Sequence, residues 1–327
     1  MNPNVILCPI EFSASGTYAL VQAVELARWY DADLHVAHVR VGRAHRQVSG
    51  QPLNAGGVDP RLSSFIEAVD TEGLRLSTVV LAGDPVTAVT EYAKLIGADL
   101  VVVARHGRRY GVYWRPGVYA KDLARALPCP TLAVPDGGAP GAKGSFVNIL
   151  CPTDFSAASS AALQEALILA QQSGGRLTLL HVLEGFPYGT VYSGGEAFRL
   201  IGEYRAQVDR ISRQMRSAVP PDAFNWCHIE TKAVSGIAHR TIVSTASELE
   251  ADLIVMGQPE RSGIDRVVMA STATPVLRSA VCPVLLVRPS GGDVARIMPR
   301  EIADPEAAYF ATEHMSVDAS TAQASRV

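Results

Sequence analysis

The sequence predicts an α/β protein made of two copies of one doubly wound, Rossmann-like domain, each a five-stranded parallel sheet with helices on both faces. Three observations carry this. The chain repeats itself: Val5-Ile-Leu-Cys-Pro-Ile-Glu-Phe-Ser13 returns as Asn148-Ile-Leu-Cys-Pro-Thr-Asp-Phe-Ser156 at an offset of 143, and Cys129-Pro-Thr-Leu-Ala-Val134 returns as Cys282-Pro-Val-Leu-Leu-Val287 at 153. An internal period of this length sets the architecture before any local reading. Within each copy, short apolar runs alternate with amphipathic stretches, the pattern of right-handed crossovers around a parallel sheet. Of the 327 residues, 48% are apolar and 19% charged, which is a globular composition.

Val5–Pro9 is a continuous apolar run, as a strand shows when both faces are buried. Over Ser15–Tyr30, Leu20, Val24 and Ala27 fall on one helical stripe. Leu34–Val39 reads as the second strand, Pro60–Glu72 as a helix and Leu76–Ala82 as the third strand. Val86–Ile96 follows as a helix, Leu100–Ala104 as the fourth strand, Val118–Ala126 as a helix and Thr131–Val134 as the last strand. Leu34-His-Val-Ala-His-Val39 matches Leu177-Thr-Leu-Leu-His-Val182, and Ala98-Asp-Leu-Val-Val-Val103 matches Ala251-Asp-Leu-Ile-Val-Met256. The offset changes between these pairs, so the middle of the second copy is ten residues longer. Residues 1–136 and 147–289 are expected to be the two domains, with similar but separate sheets. Residues 137–146 form a Gly/Pro linker. Residues 290–327 have little periodicity and are expected to be a mostly disordered tail, with a short helix near 303–314.

A net charge of −3 carries no basic excess of the kind a global nucleic-acid or membrane-surface binder needs. No apolar run approaches the about 20 residues of a membrane helix. The first four residues, Met1–Asn4, lack the positive charge that opens a secretory signal. The expectation is a cytoplasmic protein with no membrane and no nucleic-acid partner. Five cysteines include no CxxC pair, and four fall at repeat-equivalent positions, so they read as structural rather than as disulfides or zinc ligands.

In doubly wound sheets ligands gather at the carboxyl ends of the strands. There the second copy carries Asp154, able to accept from a base amino group or to cap a helix. It also carries Gly257 and then Ser271-Thr272 opening a helix, a combination that suits phosphate. In the first copy Arg105, His106, Arg108, Arg109 and Arg115 cluster after the fourth strand. Guanidinium forks match phosphate geometry, and the alternative is a solvated basic loop. His38 and His181 read as hydrogen-bonded strand-end histidines. No HExxH or GxxxxGK[ST] pattern is present.

Ile149-Leu-Cys-Pro-Thr-Asp-Phe-Ser156, Ala251-Asp-Leu-Ile-Val-Met-Gly257 and Cys282-Pro-Val-Leu-Leu-Val287, in this order and spacing, resemble the universal stress protein family. The resemblance covers both copies. It implies a tandem of two stress domains with an adenine nucleotide alpha-hydrolase-like fold. Its ATP-binding members place an Asp after strand one, a Val after strand two and a Gly-x2-Gly-x9-Gly-Ser/Thr loop after strand four. In the second copy Asp154, Val182, Gly257 and Ser271 match, while Glu260 and Ala270 stand at the second and third glycines. Glu260 adds an anion beside a triphosphate, and Pro259 removes an N–H. In the first copy Glu11 replaces the Asp, Val39 is kept, Ala104 stands at the first glycine, Gly107 and Gly117 fill the other two, and Val118 replaces the hydroxyl. Neither copy has the whole motif.

The function expected from this resemblance is a non-enzymatic stress-response or signalling module with degenerate nucleotide-binding loops and no resident metal. ATP or another adenine nucleotide is the one cofactor it points to. The alternatives are an ATP-binding switch with one working site and a slow nucleotide hydrolase. A phosphate-bearing ligand is expected to engage the first copy through Arg105, Arg108 and the amides near Gly107 and Gly117. The resemblance also implies that Thr131–Val134 and Val284–Val287 are edge strands that pair, giving an intramolecular pseudo-dimer, with a homodimer as a further partner.

Overall fold

The computed structural model describes residues 1–40, 59–105, 108–109, 112–113, 118–137, 145–184, 195–258 and 268–289. The first half runs β1 (Val5–Ile10), α1 (Ala14–Tyr30), β2 (Asp33–Arg40), α2 (Pro60–Glu67), β3 (Leu76–Ala82), α3 (Pro85–Ile96) and β4 (Leu100–Ala104). A small hairpin of β5 (Arg108–Arg109) and β6 (Val112–Tyr113) follows, then α4 (Val118–Ala126) and β7 (Thr131–Val134). The second half runs β8 (Asn148–Pro152), α5 (Ala157–Ser173), β9 (Arg176–Leu183), α6 (Gly195–Ala218), a 3-10 turn, β10 (His228–Ser235), α7 (Ala238–Glu248), β11 (Leu253–Gly257), α8 (Val268–Ser279) and β12 (Val284–Val287).

Each half contributes five parallel strands, ordered β3-β2-β1-β4-β7 and β10-β9-β8-β11-β12. The expectation of two separate sheets is corrected: β7 and β12 pair antiparallel, Ala133 opposite Val284 and Thr131 opposite Leu286, so the sheet is continuous over ten strands. The physical reason is the one expected of these edges. Each is a short, buried, apolar row of unpaired N–H and C=O groups, and pairing satisfies both rows at once.

Strand alternation divides the core. Ile6, Cys8 and Ile10 face a layer with α1, α2, α5 and α6, while Leu7 faces the opposite layer with α3, α4, α7 and α8. Helix ends are set locally. Ser13 and Ser156 cap α1 and α5 by accepting from Gly16 and Ser159 N–H, and Asp84 caps α3 by accepting from Thr87 N–H. Gly97 and Gly174 end α3 and α5 in the left-handed region. The helix read as Pro60–Glu72 stops at Glu67, because Asp70 folds back to accept from Glu72 N–H and Gly73 turns the chain at φ +80°. The tail at 290–327, with its expected helix, and most of the linker lie outside the described residues.

The repeated Ala-Asp-Leu runs have a shared role that the sequence reading missed. Asp99 accepts from Asn4 and Val5 N–H at 2.9 and 3.0 Å, and Asp252 accepts from Val147 and Asn148 N–H at 2.8 and 3.1 Å. Each carboxylate clamps the start of its half's first strand.

Candidate functional site

The carboxyl ends of β8, β9 and β11 form the candidate site of the second half. Just beyond β8 the chain makes a tight turn. Thr153 Oγ1 accepts from Phe155 N–H at 3.1 Å, and Asp154 Oδ1 accepts from Ser156 N–H at 3.0 Å. Phe155 has φ +64°, a left-handed backbone that costs a non-glycine residue about 1–3 kcal/mol. His181, from the end of β9, braces this turn. Its Nδ1–H donates to Thr153 O at 2.8 Å, and its ring lies 4.9 Å from that of Phe155. A carbonyl only accepts, so the bond fixes the proton on Nδ1. Burial holds this imidazole below the usual histidine range. Asp154 is exposed, and among the described residues no hydrogen bond reaches its Oδ2. Val182 stands half-buried next to His181.

Gly257 ends β11 against the first turn of α5. A Cβ there would lie 2.3 Å from Ala158 O, so this glycine is required by close packing whatever it does for a ligand. Helix α8 begins at Val268, three residues before Ser271, which corrects the reading that Ser271 opens the helix. Ala270 is therefore helical, a backbone that any residue adopts without left-handed strain. Glu260 and Pro259 lie outside the described residues. The N-terminus of α7 is capped from a distance: Glu184, just after β9, accepts from Ala238 N–H at 2.8 Å through Oε1. The sequence reading did not single out Glu184. The signal was the apolar Ile237 at the cap position, where the first half has Asp84.

The first half repeats the brace and differs elsewhere. His38 Nδ1–H donates to Ile10 O at 3.1 Å, and its ring lies 4.3 Å from that of Phe12. Arg61 lies over Phe12 at 4.8 Å and Arg40 pairs with Asp59 at 2.8 Å. Val39 is half-buried, as Val182 is. Glu11 accepts from Ser13 Oγ–H at 3.2 Å, and its charge, like that of Asp84, raises the pKa of the half-buried Tyr119 after desolvation has done most of it. Arg105, read as a phosphate ligand, is turned elsewhere: its Nη1–H donates to Ala280 O at the end of α8, in the other half, at 2.5 Å. Burial lowers its pKa, with Asp136 opposing. Arg108 lies in the β5–β6 hairpin, and Gly107 and Gly117 fall outside the described residues. The structure thus brings Asp154, Val182 and Gly257 to one rim, with Ser271 on the helix that follows, and Glu11 and Val39 to another, with Arg105 reaching across the seam.

Among the described residues no group of three His, Cys, Asp or Glu is placed to hold a metal, and no helix is long and apolar enough to cross a membrane.

The universal stress protein family model matches residues 3–135 and again 145–288, so the chain belongs to the universal stress protein family as a tandem member. A universal stress protein of Methanocaldococcus jannaschii is 29% identical over 144 residues, covering 44% of this chain and 82% of that protein. A universal stress protein of Archaeoglobus fulgidus superposes with a TM-score of 0.57 at 17% identity, covering 88% of this chain and 97% of that one. A universal stress protein structure from Pseudomonas aeruginosa gives a TM-score of 0.53 at 17% identity, over 88% and 94% of the two chains. These two likenesses concern the fold of the whole tandem.

Proposed function

We propose that the chain is a non-enzymatic stress-response or signalling module whose second half offers a weak adenine-nucleotide site. The observation that carries this reading is Asp154. Its carboxylate stands exposed at a strand end, with no hydrogen bond to Oδ2 among the described residues, on a strained turn braced by His181, beside Val182. That is a held acceptor at the place where doubly wound sheets take ligands. Weakness is expected from Glu260, an anion at the sequence position of the second glycine of the phosphate loop. The paired edges of β7 and β12 support the reading of an intramolecular pseudo-dimer.

Calorimetric titration with ATP is the test. The wild type should show no low-micromolar site, Glu260→Gly should tighten binding, and Asp154→Ala should abolish what remains. A tight site in the wild type, or binding indifferent to Asp154, would overturn the reading. Mass measurement of the purified protein under native conditions reads any nucleotide that travels with it.

A further inference from the structure

We propose that the outer face of α1 and α5 binds a second copy of this chain, with α1 of each copy lying on α5 of the other.

Charge is the first indication. The two helices, 17 residues each, carry only three charged residues, Glu25, Arg28 and Glu165. Each is already paired within the chain. Arg28 reaches Glu25 at 3.6 Å and Asp70 at 2.8 Å, and the Met1 amino group reaches Glu165 at 2.5 Å. No free charge is left on either helix. Helix α6, in the same layer, shows how a solvated helix of this chain is built: Arg205, Asp209, Arg210, Arg213 and Arg216 stand exposed along it. Depletion of charge marks the centre of a protein interface.

Exposed apolar side chains gather on the same face. Of the ten large ones among the described residues, four are here: Tyr18 (37% exposed), Val21 (37%) and Trp29 (48%) on α1, and Ile168 (41%) on α5. Positions 14, 18, 21, 25 and 29 recur at helical spacing and form one stripe, and 157, 161, 164, 168 and 172 are their repeat equivalents on α5. Tyr and Trp are the side chains most enriched at binding hot spots. The helices meet across the seam, where Tyr30 Oη–H donates to Gln172 Oε1 at 3.1 Å.

The two stripes differ in size, and this selects the occupant. Where α1 presents Tyr18, Val21 and Trp29, α5 presents Ala161, Gln164 and Gln172. A row of bulky side chains packs best against a row that leaves it room. Within one chain both stripes look outward and cannot meet. A second copy turned face to face, about a twofold axis that exchanges the helices, sets each α1 on the other's α5 and makes both contacts at once. Each helix is about 25 Å long and about 10 Å wide, so the face supplies on the order of 500 Å² per copy. That is the low end for a specific interface, so the dimer should be weak and concentration-dependent.

Sedimentation velocity of the full chain over a concentration series is the test. The wild type should pass from monomer to dimer. Trp29→Glu and Ile168→Arg each put a charge on the face, and each should raise the dissociation constant at least tenfold. Mixing the two variants should restore dimer, because one helix contact is then native and the other sets the new carboxylate against the new guanidinium. Arg213→Glu, on the solvated side of α6, should leave association unchanged. Thermal unfolding should stay cooperative throughout; if either charged variant loses its transition, Trp29→Gln and Ile168→Gln are read in its place. A wild type that stays monomeric overturns the proposal, and so does a dimer indifferent to both substitutions. A mixture that stays monomeric overturns the pairing of α1 with α5.

Discussion

At the scale of single residues, the five cysteines and three of the histidines carry opposite lessons. All five thiols are free and buried. Burial pushes Cys129, Cys151 and Cys282 up to about 12, and raises Cys8 and Cys227 as well. A raised thiol is protonated at pH 8 and is no nucleophile. We therefore expect no cysteine to react with an aromatic disulfide reagent in the native state, and all five to react once guanidinium unfolds the chain. One rapidly labelled native thiol would contradict the assignment. His35, His38 and His181 are each held below the ordinary value by burial. The folded chain therefore binds these protons less readily than the unfolded chain. Unfolding takes protons up, so stability is full above the ordinary histidine range and falls as pH drops through it. The melting midpoint should be flat from pH 8 to about 7 and should fall toward pH 5.5, above the range of most carboxylates. His181→Asn should make that fall shallower. An unchanged slope would remove His181 from the account.

Elements are joined by close approaches that the sequence marks with small residues. Gly257 is one: its β11 backbone lies on the first turn of α5, where an added Cβ would come within 2.3 Å of Ala158 O and 2.6 Å of Ser159 N. These are backbone atoms of a capped helix and have little room to give. Gly257→Ala should cost about 1–3 kcal/mol, the usual range for overpacking a tight interior. Denaturant unfolding measures this directly, and a neutral result would mean that α5 shifts freely. The repeat-equivalent Ala104 already carries a Cβ at the corresponding end of β4. The glycine at this place is thus a matter of helix–strand packing in one half, not a feature both halves need.

Over the whole molecule, the two halves act as one unit because their last strands pair and their side chains cross the seam. Arg105 reaches from the first half to Ala280 O, and Arg288 reaches from the second half to Leu127 O at 2.8 Å and Arg125 O at 3.3 Å. Each guanidinium supplies donors to carbonyls that the end of a helix leaves unsatisfied, α8 in one case and α4 in the other. On the first-half side of the other layer, Tyr30 Oη–H donates to Gln172 Oε1 and the Met1 amino group pairs with Glu165. Arg288→Ala removes a charged donor from two part-buried carbonyls, and about 1.5–3 kcal/mol of stability should go with it. If the variant unfolds in a single transition shifted by that amount, the seam is part of one cooperative unit. Two separated transitions would show halves that fold independently.

The sequence by itself determined the class of fold, because strand–helix alternation and duplicated motifs are local signals. Leu76–Ala82, Leu100–Ala104, Val118–Ala126 and Thr131–Val134 were legible to the residue, each bounded by a turn or a change in period. It also determined which residues reach the strand ends, Asp154, Val182 and Gly257 among them, since a repeat of this topology places them there. What it left open depended on side chains distant along the chain. Arg105 reads as a phosphate ligand until it is seen to bond Ala280, 175 residues away. That the last strands pair was implied by the resemblance, but the antiparallel register that merges the two sheets into one appears only where β7 meets β12. Local pattern encodes which face is buried and where the chain turns. It does not encode which polar groups will be close enough to satisfy one another, because that pairing is decided only when the elements pack.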